Sequence, residues 1–233
     1  MKKESASVLF IGNSYTYVND LPGVVAAMAK AGKPKLKTQS YTAGGAALLQ
    51  FWEDPEHTKA RELVKQGGFD YVVLQDQSVT PCTSPQWTLK FGGKWAQLAH
   101  YGKSKPVFFL TWAHRTPDGS TFDSAMQDEL SAVYRRAAQE NDALLAPVGE
   151  AWRRWYQLHP SGSLHAEDGS HPNALGTYLA GCVFYAVLTK KSPIGLPCRL
   201  RTAPRHTLSV PADEARECQQ IADEAVKAEG RGK

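Results

Sequence analysis

Ser14 stands at the end of an apolar run, Val8-Leu9-Phe10-Ile11, reached through Gly12-Asn13. Far along the chain, Asp168 and His171 lie three apart in Asp168-Gly169-Ser170-His171-Pro172. A hydroxyl, an imidazole and a carboxylate are the parts of nucleophilic acyl transfer. The carboxylate fixes the imidazole tautomer and stabilises the imidazolium that forms when the ring takes a proton. Each residue also has a plainer reading. Asn13 and Ser14 can turn the chain or cap a helix, Asp168 can be a turn residue, and His171 can be a surface histidine ahead of a helix that Asn173 caps. A short buried strand ending in serine, combined with a distant carboxylate–histidine pair, favours the chemical reading.

Ester chemistry also needs donors for the charge that builds on the carbonyl oxygen. Three candidates sit at strand ends: the backbone N–H of Ser14, the backbone N–H of Gly44 or Gly45 in Thr42-Ala43-Gly44-Gly45, and the side-chain amide of Gln77 in Gln75-Asp76-Gln77-Ser78. In a parallel sheet these loops leave one edge, so they can converge although far apart in sequence. Asn13, Tyr15, Trp112 and His114, with Arg115 beside them, are candidates to line a substrate cleft. His165, Asp168 and His171 are metal-capable types close together, but their spacing matches no recognised metal motif, and no metal or cofactor is expected. His57 and His100 read as surface or structural histidines, His159 and His165 as structural or substrate-touching, and Trp152 and Trp155 as packing residues on a helix.

The elements that must position these groups follow in order. The run 8–11 is a buried strand. Asn19 or Asp20 can cap a helix that has Pro22 near its start and ends at Gly32. Lys35–Tyr41, Phe69–Leu74, Pro106–Trp112 and Ala143–Ala146 read as further strands. Helical patterns lie between them over 55–66, 85–101 and about 121–141, then to about Leu158 and over Ala174–Leu188. No internal repeat and no hairpin signal is found. Five alternations of strand and crossover helix argue for a three-layer α/β/α sandwich on a mainly parallel five-stranded sheet, flavodoxin-like in plan. The whole chain, 1–233, reads as one domain. Within it, prolines make 190–211 irregular and a charged amphipathic helix spans about 212–228.

Composition narrows the function classes. The 233 residues are 42% apolar, enough for a full core. The formal charge of +4 is mild and its basic residues are scattered, so neither nucleic acid nor an anionic membrane is expected as a partner. The four cysteines, Cys82, Cys182, Cys198 and Cys218, form no Cys-x-x-Cys pair, leaving no zinc or redox motif. No apolar run reaches membrane-spanning length. The chain reads as soluble, either cytoplasmic or, if an export signal has been removed ahead of the first strand, periplasmic or secreted.

The chain resembles the SGNH hydrolases, the GDSL-like lipases and esterases. Ile11-Gly12-Asn13-Ser14 is similar to their nucleophile block, and Asp168-Gly169-Ser170-His171-Pro172-Asn173 to the block that carries the acid and base. The resemblance implies Ser14 as nucleophile, His171 as general base, Asp168 as its orienting acid, and Gly45 rather than Gly44 as an oxyanion donor. Gln77 falls where the family usually has an oxyanion asparagine; with Tyr15 after the serine, this resembles a divergent branch. The resemblance covers roughly residues 7–189. It implies hydrolysis of a carboxylic ester of a small molecule or carbohydrate, with acetyl favoured as the acyl group because no long apolar lid is evident. The alternatives are an acyltransferase and a ligand-binding module without turnover.

Overall fold

The computed structural model describes residues 5–204 and 206–230. Its first strand, β1 (Ser5–Gly12), has Val8, Leu9, Phe10 and Ile11 fully buried, as a central parallel strand covered on both faces requires. β2 (Lys35–Thr42), β3 (Tyr71–Leu74), β4 (Lys105–Phe109) and β5 (Leu144–Ala146) complete a parallel sheet of order β2-β1-β3-β4-β5. Strand order reverses at β1, with β2 on one side and β3 on the other. The crevice at the carboxyl end of β1 is therefore the topological switch point where open α/β sheets bind ligands.

A short turn of helix, α1 (Ser14–Tyr17), follows β1 directly, and α2 (Leu21–Ala31) crosses to β2. α3 (Leu48–Glu53) and α4 (Thr58–Gln66) lead to β3; α5 (Thr80–Thr83) and α6 (Pro85–Tyr101) lead to β4. α7 (Ser124–Glu140) precedes β5, and α8 (Val148–Leu158), α9 (Ala174–Thr189) and α10 (Ala212–Gly230) follow it. On one side α9 packs between α2 and α10, while on the other α6 packs between α4 and α7. α9 is apolar all round because it is enclosed: every residue from Leu175 to Ala186 is buried. Among the described residues no helix is long and apolar enough to cross a membrane.

The structure revises the sequence reading at the fourth strand and in the segment 190–211, and it settles the cap of α2. The fourth strand ends at Phe109 rather than Trp112, because β5 is three residues long and its pairing stops at Phe109–Ala146. The segment 190–211 is not wholly irregular. It holds an antiparallel pair, β6 (Arg199–Ala203) and β7 (His206–Ser209), whose opposed Leu200 and Leu208 are buried. The capping role left open between Asn19 and Asp20 falls to Asp20, whose Oδ1 accepts from Gly23 N–H at 3.1 Å. Asn19 instead reaches across the site, as described below.

Candidate active site

The turn after β1 leaves the N–H of Ser14 without a bond among the described residues. Asn13 caps α1: its side-chain oxygen accepts from Tyr15 N–H (3.1 Å), and its carbonyl accepts from Thr16 and Tyr17 (2.9 and 3.2 Å). Its own N–H donates to Gln75 Oε1 at 2.8 Å. None of these bonds uses the N–H of Ser14, the first residue of the helical turn. The Asn13 amide nitrogen donates to the Ala46 carbonyl (3.1 Å), tying this turn to the Gly44–Gly45 loop.

Gln75 is the residue that the sequence reading passed over in favour of Gln77. It is fully buried, and its Oε1 accepts both Asn13 N–H and the Thr16 hydroxyl, the latter at 2.9 Å. Its amide nitrogen donates to the Asp76 carbonyl. Gly12 makes room for it, since a Cβ there would lie 2.5 Å from both Gln75 Oε1 and Thr16 Oγ1. The parallel pairing Ile11–Leu74 puts residue 75 beside residue 12; only a strand register could have shown this.

Gln77 sits at the same edge with its carbonyl oxygen committed to its own loop. It accepts from Val79 N–H (2.8 Å), Thr80 N–H (3.1 Å) and the Thr80 hydroxyl (3.2 Å), while its amide donates to Ser78 Oγ (3.2 Å). Between the two glutamines, Asp76 is buried and accepts from Leu48 N–H, Gln77 N–H and the Thr88 hydroxyl at 2.9, 2.9 and 2.6 Å. Burial raises its carboxyl above the ordinary range against these bonds. It fastens the third-strand loop to α3 and α6. The Gly44–Gly45 turn follows β2 and is exposed, with Gly45 at φ +67°, a conformation suited to glycine. Its closing bond runs from Ala46 N–H to the Ala43 carbonyl (3.3 Å).

Ser14, Asp168 and His171 come together. His171 Nδ1 lies 2.5 Å from Asp168 Oδ2, and His171 Nε2 lies 2.8 Å from Ser14 Oγ. A carboxylate on Nδ1 fixes the proton there, so Nε2 is free to accept from the serine hydroxyl. Asp168 Oδ1 in turn accepts the N–H groups of Ser170 and His171, each at 2.9 Å. Partial burial opposes ionisation of Asp168, but these bonds and the imidazole outweigh it and hold its carboxyl at about 2. Asn19, in a left-handed conformation, donates from its amide to the Pro172 carbonyl and Thr177 Oγ1, each at 3.0 Å, and so joins the segment after the serine to the histidine loop.

The residues expected to line a cleft separate by depth. Asn13, Tyr15 and Trp112 are buried, so they underlie the site instead of facing a ligand. Tyr15 stacks on Trp112 (centroids 4.5 Å apart) and presents its ring to His171 edge-on (5.7 Å); Trp112 stacks on Trp152 at 4.1 Å. Desolvation pushes the Tyr15 phenol up to about 12, so it acts as a neutral hydroxyl. His114 is half-buried beside the triad, 3.1 Å from Ser170 Oγ, and desolvation lowers its pKa. His165 is enclosed, with Nε2 on the Ala113 carbonyl (2.9 Å) and Nδ1 on Tyr156 Oη (2.6 Å). It is a structural histidine, and burial holds it down at about 4. His159 pairs with Glu217 (2.8 Å).

Comparison with known proteins agrees with this geometry at the level of fold. No family model matches the chain, and neither does any curated protein. Solved structures do. A protein described as a candidate SGNH hydrolase from Slackia heliotrinireducens superposes with a TM-score of 0.68 at 25% identity, over 79% of this chain and 99% of that one. A DUF4886 family protein from Bacteroides uniformis gives 0.75 at 16% identity, over 96% of this chain and 95% of that one. An acetyl xylan esterase, AlAXEase, gives 0.55 at 17% identity, over 77% of this chain and 98% of that one. The chain has the SGNH hydrolase superfamily fold, a five-stranded parallel sheet between helical layers, shared with proteins named as esterases and lipases.

Proposed function

We propose that this protein is a serine-dependent carboxylic ester hydrolase. The observation that carries the reading is the unbroken line Ser14 Oγ, His171 Nε2, His171 Nδ1, Asp168 Oδ2 at the switch point of the sheet. His171 takes the Ser14 proton as Oγ attacks the ester carbonyl, and Asp168 stabilises the imidazolium. The oxyanion is held by the spare Ser14 N–H and by Gly45 N–H, with Gly44 as the alternative, and the Gln77 amide is a third donor through the hydrogen it does not give to Ser78. Protonated His171 then hands its proton to the departing alkoxide, leaving an acyl-Ser14. Water attacks that ester with His171 again as base, which releases the acid and restores the serine.

A small acyl group, acetyl on a carbohydrate foremost, suits a site bordered by the short, exposed Gly44–Gly45 turn. The fold shared with an acetyl xylan esterase supports the same substrate class. The test is a series of p-nitrophenyl esters of rising chain length together with acetylated sugars, run beside Ser14→Ala and His171→Ala. Cleavage should be fastest on the shortest acyl groups and vanish in both variants. Ester formation on added sugar acceptors would instead mark an acyltransferase.

A further inference from the structure

The loop that carries the catalytic pair is built twice. Residues 115–123 and 165–173 read Arg-Thr-Pro-Asp-Gly-Ser-Thr-Phe-Asp and His-Ala-Glu-Asp-Gly-Ser-His-Pro-Asn. Each is closed by an antiparallel bridge, Arg115–Phe122 in one and His165–Pro172 in the other. Thr116 N–H donates to the Thr121 carbonyl as Ala166 N–H does to that of His171, both at 2.8 Å. Gly119 and Gly169 both have φ +69°. Ser120 N–H donates to Asp118 Oδ1 (3.1 Å) as Ser170 N–H does to Asp168 Oδ1 (2.9 Å). Asp123 and Asn173 then cap the following helices, each accepting at 2.9 Å. Thr121 stands where His171 stands, so the first loop is a copy without the base.

The copy shows what the turn does with no histidine on its carboxylate, where the Thr116 hydroxyl also donates to Asp118 Oδ1 (2.5 Å). Ser120 Oγ folds back onto the carboxylate, 2.8 Å from both Oδ1 and Oδ2 of Asp118. In the catalytic loop the equivalent hydroxyl points elsewhere. Ser170 Oγ lies 2.6 Å from Tyr15 Oη and 3.1 Å from His114 Nε2, and Asp168 Oδ2 is given to His171. The two environments differ at those partners and at Ala166, which stands where the copy has Thr116; His114 directly precedes the copy, and Tyr15 directly follows the nucleophile. We propose that His114 and Tyr15 are positioning residues that draw the Ser170 hydroxyl off Asp168 and so reserve its Oδ2 for His171. A serine hydroxyl on that oxygen competes with the imidazole for the acceptor that orients it.

The inference rests on the hydrolase reading, and two arms separate their failures. In the first, Ser14 is modified with a fluorophosphonate and followed by intact mass in wild type, in Tyr15→Phe/His114→Ala, and in that pair with Ser170→Ala added. The paired variant should lose about tenfold or more in the maximal modification rate with unchanged probe affinity. Adding Ser170→Ala should restore most of the rate, because the competitor is gone. A merely structural role would make the third substitution neutral or harmful, and either result overturns the proposal, as does an undiminished rate in the pair. In the second arm, a crystal structure of the paired variant should show Ser170 Oγ on Asp168, as Ser120 lies on Asp118. If Ser170 keeps its present orientation there, the proposal falls whatever the activity. An unmodified wild type would instead sink the hydrolase reading while the crystallographic arm still decides this one.

Discussion

Replacing Gln75 with methionine removes the one acceptor shared by Asn13 N–H and the Thr16 hydroxyl while keeping a side chain of similar length. Both donors are in residues with almost no exposure, 3% and 0%, as is Gln75 itself. A buried donor left without a partner costs about 1–3 kcal/mol. Water cannot easily replace the acceptor, because Gly12 and Thr16 close around Gln75 Oε1. Two orphaned donors therefore put Gln75→Met at about 2–5 kcal/mol of lost stability, with the Thr16 hydroxyl able to recover part by rotating. For a chain of this length each kcal/mol moves the melting temperature by about 2–4 °C. Gln77→Met is the matched control: its three accepted bonds lie in a partly exposed loop open to water, so its cost should be near 1 kcal/mol. The assay is urea denaturation of both variants beside the rate of Ser14 modification. Gln75→Met should lose more stability than Gln77→Met and slow Ser14, since the turn that aims the hydroxyl loses its anchor. Equal, small losses in the two variants, with Ser14 unaffected, would refute this assignment of the third-strand loop.

Asp168→Asn should lower kcat on any cleaved ester by about 10³–10⁴-fold, because an amide does not hold His171 in the tautomer that accepts the serine proton. Its side chain is half exposed, so the melting temperature should barely move; a kcat within tenfold of wild type would contradict the triad. His165 titrates at about 4 in the folded protein, below the ordinary 6.5, because it is buried. The unfolded chain therefore binds the extra proton between those values, and stability that is whole above pH 6.5 declines as the pH falls towards 4, by about 3 kcal/mol in all. Urea curves at pH 7, 5.5 and 4.5 should show that decline, and His165→Asn, though less stable at pH 7, should show a shallower one. Gly45→Ala places a Cβ at φ +67°, at a cost of about 1–2 kcal/mol; thermal denaturation with no shift would mean that the turn relaxes freely.

The parts of this molecule that could be read from sequence were those set by local pattern. Val8–Ile11 and Tyr71–Leu74 are apolar runs with turn residues behind them, and α6 has a proline at its first residue and a glycine just past its last, so their places were legible. The approach of Ser14 to the distant Asp168/His171 block is suggested by residue types and motif resemblance, and in the structure His171 lies within hydrogen-bond distance of both other side chains. What stayed hidden depends on register and on the third dimension. Gln75 and Gln77 are indistinguishable in sequence; only the pairing of β1 with β3 puts one against the nucleophile turn and leaves the other in its own loop. Trp112 and Tyr15 look like cleft aromatics until Trp152 is found behind them. The duplicated loop is not legible in the sequence because only Asp-Gly-Ser is common to its two copies, while the shared backbone is specified by the glycine's positive φ and the capping residues. The hairpin at 199–209 is hidden among prolines because its two buried leucines are too few to make an alternating pattern.

Attack of Ser14 on an acyl carbon with His171 as its base leaves an acyl-serine that intact-protein mass spectrometry can catch after brief mixing with p-nitrophenyl acetate. A 42 Da acetyl adduct, the mass set by replacing a hydrogen with an acetyl group, should appear, map to Ser14 and disappear in Ser14→Ala. In His171→Ala it should form more slowly by about 10³-fold or more. Ester cleavage that proceeds equally fast in Ser14→Ala, or an adduct that maps to another residue, would contradict attack by Ser14.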